Sequence, residues 1–236
     1  MRSLTSTAQR RAAPEPGTAL LALRDVRHRW RRSPLAVLDG LTLTLAPGSV
    51  TWIGGRNGVG KTTLLRIAAG ILVPQAGTVR LLGLDPIADR GPYHRRLGFL
   101  SAGDRGLNAR MTVAQQLDYW ARLAYVPRAR RPEVVAAEID AFALGELAGR
   151  RVDRMSMGQR QRVRLAMAFL HRPEVVLLDE PRNSLDGEGQ EVLRERVLGA
   201  VGAGAAVVWC APEGEEQAMR FDAGYILEGG HLVRAP

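Results

Sequence analysis

Gly55-Arg56-Asn57-Gly58-Val59-Gly60-Lys61-Thr62 decides how the rest of this chain is read. It fits the pattern G-x-x-x-x-G-K-[ST], a glycine-rich loop whose successive backbone N–H groups turn inward on a bound phosphate. Lys61 is the only lysine among 33 basic residues; all the others are arginines. The one compact, flexible ammonium thus stands where the β- and γ-phosphates of a nucleotide would lie, a place that a planar guanidinium fits less well.

The surroundings supply the context the motif needs. Leu41-Thr42-Leu43-Thr44-Leu45 alternates with period two, as a half-buried strand does, and Pro47-Gly48 turns the chain into Ser49-Val50-Thr51-Trp52-Ile53. After Lys61, the residues Leu64, Leu65, Ile67 and Ala68 recur at helical spacing until Gly70. A strand, the loop and a helix therefore follow one another, and the helix adds its positive N-terminal dipole to the anion site. Gly55, Asn57, Gly58, Gly60, Lys61, Thr62 and Thr63 are the expected phosphate contacts.

Farther along, Thr112 and Gln115 have capping-box spacing before a helical face of Val113, Leu117, Trp120 and Ala124. Val135, Ile139 and Phe142 mark another helix, and Val163, Ala166, Met167 and Leu170 a third. Val175-Val176-Leu177-Leu178 reads as a short buried strand, followed at once by Asp179 and Glu180. Two carboxylates then sit at the C-terminal end of a strand, where an α/β sheet binds ligands. Asp179 and the Thr62 hydroxyl suit Mg²⁺, and Glu180 suits the orientation and deprotonation of an attacking water. Tyr225-Ile226-Leu227, Gly229-Gly230 and Leu232-Val233 close the chain as a strand, a turn and a strand. Strands alternate with helices around a helical middle, which predicts an α/β core with a helical lobe over approximately 104–170.

Composition sets outer limits. A chain of 236 residues with 46% hydrophobic residues reads as one folded domain, expected over 19–236. Residues 1–18 are rich in Arg, Ser, Thr, Ala and Pro without an apolar core, which argues against a secretory signal and for a disordered tail, a transit peptide being the alternative. The longest weakly polar run, about 199–211, is too short and glycine-rich to span a bilayer, for which roughly 18 apolar residues are needed. Any membrane role is expected through a partner. The net charge of +9 thickens at residues 27–32, 128–131 and 150–164 without interleaved aromatics, so solvated arginine faces are expected, attraction to an anionic membrane leaflet is the alternative, and nucleic acid is not expected. The lone Cys210, after the strand-like Ala205-Ala206-Val207-Val208-Trp209, is expected as a buried structural thiol in a reducing compartment.

With the loop and the carboxylates in place, Met155-Ser156-Met157-Gly158-Gln159-Arg160-Gln161-Arg162 resembles the signature motif of the ATPase subunits of ATP-binding-cassette (ABC) transporters, and the likeness covers roughly residues 20 to 235. The resemblance implies a P-loop NTPase core with an antiparallel β subdomain and an inserted helical subdomain. It also implies ATP and Mg²⁺ as ligands, a homo- or heterodimer, separate transmembrane permease subunits, and a peripheral place on the cytoplasmic face of a membrane. Ser156, Gly158 and Gln159 would act from the second subunit on the γ-phosphate bound by the first. Trp30 falls where an aromatic residue stacks on adenine, and Ser184-Leu185-Asp186 looks like the loop that crosses between subunits. Read as single residues, Trp30 fits a half-buried aromatic, Ser156 a helix cap and Asp186 the start of a turn.

The likeness breaks in three places. Met157 stands where a glycine is usual. The glutamine that the resemblance places after Leu97-Gly98-Phe99-Leu100, touching metal and membrane partner, falls on Ser101-Ala102-Gly103 instead. The histidine expected ten residues before Asp222 is Pro212, and His28, His94, His171 and His231 are far from that register. Losing one preorganised charge-stabilising group costs roughly 10²–10³-fold in rate in well-studied enzymes, so slow hydrolysis is expected. Three functions follow in order: an energy-coupling subunit of an exporter, favoured by the look of Gly103-Asp104-Arg105, with an importer as the alternative direction; a regulatory subunit paired with a complete ATPase; and a soluble cassette ATPase on ribosomes or DNA. The last usually needs a second cassette or long coiled coils, and neither a second phosphate loop nor heptads occur here.

Overall fold

A computed structural model of the chain describes residues 19–235, apart from 32, 104 and 105. The expected tail over 1–18 lies outside the described residues, as do Arg32 in the first arginine cluster and the Asp104-Arg105 pair. In chain order the elements are β1 (Leu21–His28), β2 (Leu38–Leu45), β3 (Ser49–Gly54), α1 (Lys61–Ala68), β4 (Ala76–Leu81), α2 (Arg90–His94), β5 (Leu97–Leu100), α3 (Val113–Leu123), α4 (Arg131–Ala141), α5 (Met157–Phe169), β6 (Val175–Asp179), α6 (Gly187–Gly202), β7 (Ala206–Cys210), β8 (Ala223–Glu228) and β9 (His231–Arg234).

Two sheets result. β2, β1 and β4 form an antiparallel sheet in that order, and a second sheet runs β5-β6-β7-β3-β8-β9. Its first five strands are parallel, and β9 turns back on β8 as an antiparallel hairpin. β2 and β3, adjacent in sequence across Pro47 and Gly48, belong to different sheets. The fold is the mixed α/β architecture, with an antiparallel sheet beside a parallel one, that the residues and the resemblance imply.

Side-chain alternation explains why the central strands read as unbroken apolar runs: they are covered on both faces. Val175 and Leu177 of β6, Val208 and Cys210 of β7 and Ile53 of β3 face a core shared with α1 and the antiparallel sheet. Val176 and Leu178, Val207 and Trp209, and Val50 and Trp52 face the opposite core with α3, α4, α5 and α6. Full burial of each such side chain is worth roughly 1.5–3 kcal/mol. The helices start where their caps dictate. Thr112 Oγ1 accepts from the Gln115 amide at 3.3 Å while Gln115 Oε1 accepts from the Thr112 amide at 3.0 Å, and α3 follows. α3, α4 and α5 all lie between β5 and β6. No helix among the described residues is long and apolar enough to cross a membrane.

Candidate functional site

Parallel register brings the chemistry-bearing residues to one edge. Asp179 at the end of β6 pairs with Cys210 at the end of β7, and Cys210 pairs with Ile53 of β3. The glycine-rich loop and the Asp179-Glu180 pair therefore leave the sheet on the same side, one strand apart.

The loop needs glycine for stated reasons. At Gly55 the backbone is left-handed, with φ +140°, and a Cβ would meet the Leu227 carbonyl at 2.7 Å. At Gly60, with φ +122°, a Cβ would meet Val37 Cγ2 at 2.9 Å. A side chain at either place would push the loop off the sheet or into the antiparallel subdomain. Asn57 and Gly58 are exposed at the mouth, whereas Lys61 and Thr63 are buried in the first turn of α1. The Lys61 ammonium folds back along the loop, donating to the Gly55 carbonyl and, at 3.2 Å, to that of Arg56. It is thereby held over the concave face of the backbone, where the N–H groups that open α1 also converge.

Thr62 Oγ1 donates to Asp179 Oδ2 at 2.8 Å, and the Ala102 amide donates to the same oxygen at 3.3 Å. Burial pushes the Asp179 carboxyl above the usual carboxylate range, with the Thr62 and Ala102 hydrogen bonds opposing the shift. A hydroxyl and a carboxylate oxygen side by side suit a hard cation such as Mg²⁺, which keeps waters and takes substrate phosphate oxygens rather than an all-protein cage. No cluster of three or more His, Cys, Asp or Glu side chains forms a metal cage among the described residues.

Glu180 follows in left-handed backbone, φ +52°, an uncommon conformation for a side chain that is not glycine. Its amide donates to the Cys210 carbonyl at 2.8 Å, and Asn183 Nδ2 donates to Glu180 Oε2 at 2.6 Å. The carboxylate is thus aimed into a cavity of about 390 Å³ lined by Asp179, Glu180, Asn183, Ser184, Met157 and Gln161, among others. Cys210, behind it, is fully buried, and burial raises its thiol well above the ordinary value, as expected of a structural thiol.

Ser156 caps α5: its hydroxyl accepts from the Gln159 amide at 3.2 Å, and Gln159 Oε1 accepts from the Ser156 amide at 3.1 Å. Gly158 packs against the loop after the carboxylates, where a Cβ would meet the Ser184 carbonyl at 2.6 Å. Ser184 is left-handed, with φ +65°, and Asp186 caps α6 by accepting from the Gly189 amide at 2.8 Å. Met157, in the glycine position of the resemblance, is exposed and lines the carboxylate cavity. Trp30 lies elsewhere. It is half exposed, packs edge-on to His28 at 4.9 Å between ring centroids, and lines an apolar groove with Arg66 of α1.

Of the segment 101–103, where the resemblance expects the glutamine, Gly103 lines the cavity and the Ala102 amide donates to Asp179, while neither Pro212 nor a histidine is among the described residues that line it. His94 and His171 face the apolar groove, within reach of the Ala69 and Leu97 carbonyls. Three polar residues of the cavity were not among the expected site residues: Asn183, and Gln161 and Arg164, which the sequence showed only as part of the signature-like motif and of the third arginine cluster. Gln161 and Arg164 stand three apart in a helix whose next residues are all apolar, the pattern that would have exposed them as inward-facing. The expected solvated arginine face needs correcting there. Arg150, Arg151 and Arg154 are exposed, but Arg164 is only 6% exposed because α5 turns that position toward the cavity.

A family model described as ABC transporter matches residues 38–183. The chain belongs to the ABC transporter family. ATP binding is the general property of the ATP-binding proteins of this ABC family. Among relatives, the chain is 29% identical over 216 residues to the ABC transporter ATP-binding protein NatA of Bacillus subtilis (strain 168), covering 91% of this chain and 88% of that one. It is 36% identical over 203 residues to the Fe(3+) ions import ATP-binding protein FbpC 2 of Rhodococcus jostii (strain RHA1), covering 84% of this chain but only 57% of that protein. A solved ATP-binding subunit of an ABC transporter shares the ABC fold at a TM-score of 0.83 over 92% of this chain and 89% of the other, at 22% identity.

Proposed function

We propose that this chain binds Mg·ATP at Lys61, Thr62 and Asp179 and hydrolyses it with Glu180, slowly on its own, as the energising subunit of an ABC exporter. The observation that carries the reading is the pairing of Thr62 with Asp179 at 2.8 Å beside a Glu180 carboxylate steadied by Asn183. Gly55, Asn57, Gly58, Gly60 and Thr63 shape the phosphate cradle, and Trp30 stacks on the base. Thr62 and Asp179 hold Mg²⁺, whose chemistry is to neutralise charge building on the phosphate oxygens. Glu180 accepts the proton of the attacking water. Two copies, or this chain and a homologous partner, close head to tail so that Ser156, Gly158 and Gln159 of one meet the nucleotide of the other across Ser184 and Asp186. The helices between β5 and β6 form the lobe, and separate permease chains carry the closure into the membrane, which places this chain on its cytoplasmic face. Export is the direction favoured by the resemblance around Gly103.

The test is Mg·ATP hydrolysis by the purified chain over a wide range of protein concentration, with Glu180→Gln as control and ATP binding followed in parallel. Specific activity that rises with concentration and vanishes in the variant supports a homodimer. Rapid turnover that is independent of concentration and survives Glu180→Gln would falsify the reading. Co-reconstitution with the adjoining permease in vesicles reads the direction.

A second reading rests on Ala102 and Pro212: a regulatory subunit that lends Ser156 to a complete partner. In that case activity of the complex survives Glu180→Gln and is lost with Ser156→Ala.

A further inference from the structure

Arg164 stands on the wall of both cavities described above. One is the carboxylate cavity with Asp179, Glu180 and Asn183. The other is the apolar groove, about 640 Å³, lined by Ile71, Leu72, Phe99, Trp120 and Leu123 among others. A guanidinium held at 6% exposure is costly unless its donors are met.

Its donors tie two loops together. Arg164 donates to the Ser101 carbonyl, in the segment that begins where β5 ends, and at 2.7 Å to Gln161 Oε1. Gln161 Nε2 donates at 3.0 Å to the carbonyl of Pro181, the residue after Glu180. One relay, Ser101 to Arg164 to Gln161 to Pro181, therefore spans from the edge of the groove to the turn that carries the carboxylate. Its two side chains stand three apart on α5, the spacing that lets neighbours on one helix face meet.

We propose that Arg164 is a positioning residue for Glu180, acting through Gln161 to hold the turn after β6 in register with residues 101–103. The relay holds Glu180 in its left-handed backbone and fixes the Asn183 contact, so loosening it misaligns the base without removing a phosphate contact. The catalytic consequence rests on hydrolysis at Glu180, proposed above; the mechanical link does not.

The experiment uses the full chain with Arg164→Met, Arg164→Lys, Gln161→Leu and the double variant Arg164→Met/Gln161→Leu. Hydrogen exchange is read at the Asn183 and Leu185 amides, which bond to the Glu180 and Arg182 carbonyls, and hydrolysis is read as kcat and KM. Arg164→Met is expected to speed exchange at both amides and to lower kcat, each on the order of tenfold, with KM and ATP affinity within about twofold. Gln161→Leu should give the same result, the double variant should add little, and Arg164→Lys should restore part of the loss. Additive effects, or unchanged exchange at Asn183 and Leu185, overturn the proposal. Should the parent chain not hydrolyse ATP, the reading of Glu180 fails while the exchange data still decide the relay. Should Arg164→Met not fold, Arg164→Lys and Gln161→Leu decide it alone.

Discussion

The Thr62 hydroxyl and the Asp179 carboxylate, 117 residues apart in sequence, meet at 2.8 Å. That contact joins the first turn of α1 to the end of β6 and defines the corner in which a metal–phosphate complex is expected. Asp179 sits there at a cost, because burial disfavours its charge. A carboxyl raised by folding binds its proton more tightly in the native state, so this group lowers stability as pH rises from the unfolded pKa, near 4, through the raised folded value, and the penalty is complete above it. Asp179→Asn should therefore raise the unfolding midpoint at neutral pH, each ~1 kcal/mol of relieved penalty appearing as about 2–4 °C in a domain of this size. The gain should shrink in melts at pH 4, and Mg²⁺-dependent ATP affinity should be lost at every pH.

Lys61→Arg probes the sole ammonium. Lys61 is buried, and its ammonium donates to the Gly55 and Arg56 carbonyls, contacts that the fixed fork of a planar guanidinium does not reproduce. ATP affinity measured by calorimetry should fall at least tenfold, ~1.4 kcal/mol, with the far-ultraviolet circular dichroism unchanged.

Gly158→Ala places a methyl 2.6 Å from the Ser184 carbonyl, a backbone atom that cannot swing aside. The expected cost is about 1–3 kcal/mol, as for overpacking elsewhere, seen as a lower denaturant midpoint. A variant as stable as the parent would mean that α5 and the 184–186 loop are not in contact in solution.

Ala102→Gln together with Pro212→His restores the two side chains absent from the cavity. If their absence is what slows hydrolysis, the pair should raise kcat by roughly 10²-fold, the worth of one such preorganised group, and Glu180→Gln should abolish the gain. No increase, with ATP affinity intact, would locate the limit in dimer assembly instead.

Much of this fold could be read from the residues. β2, β3, α1, β6, and the β8–β9 hairpin follow from period-two or helical spacing and their turn glycines, and the α3 cap forms with the partners its spacing predicts. β1 and β4 were not legible, because charged residues such as Arg24, Asp25 and Arg80 punctuate strands exposed on one side. α6 was hidden too, since its long charged stretch buries only Gly189, Leu193 and Val197.

The division has a physical cause. Local sequence determined the phosphate loop, the order of its strand and helix, and the Asp179-Glu180 pair, because backbone conformation and apolar spacing are set by near neighbours. Only the tertiary structure decided that β7 lies between β3 and β6, aligning Ile53, Cys210 and Asp179 in one row. It alone turned Arg164 inward to bridge Ser101 and Gln161, for the direction a charged helical side chain takes depends on which surfaces fold against it.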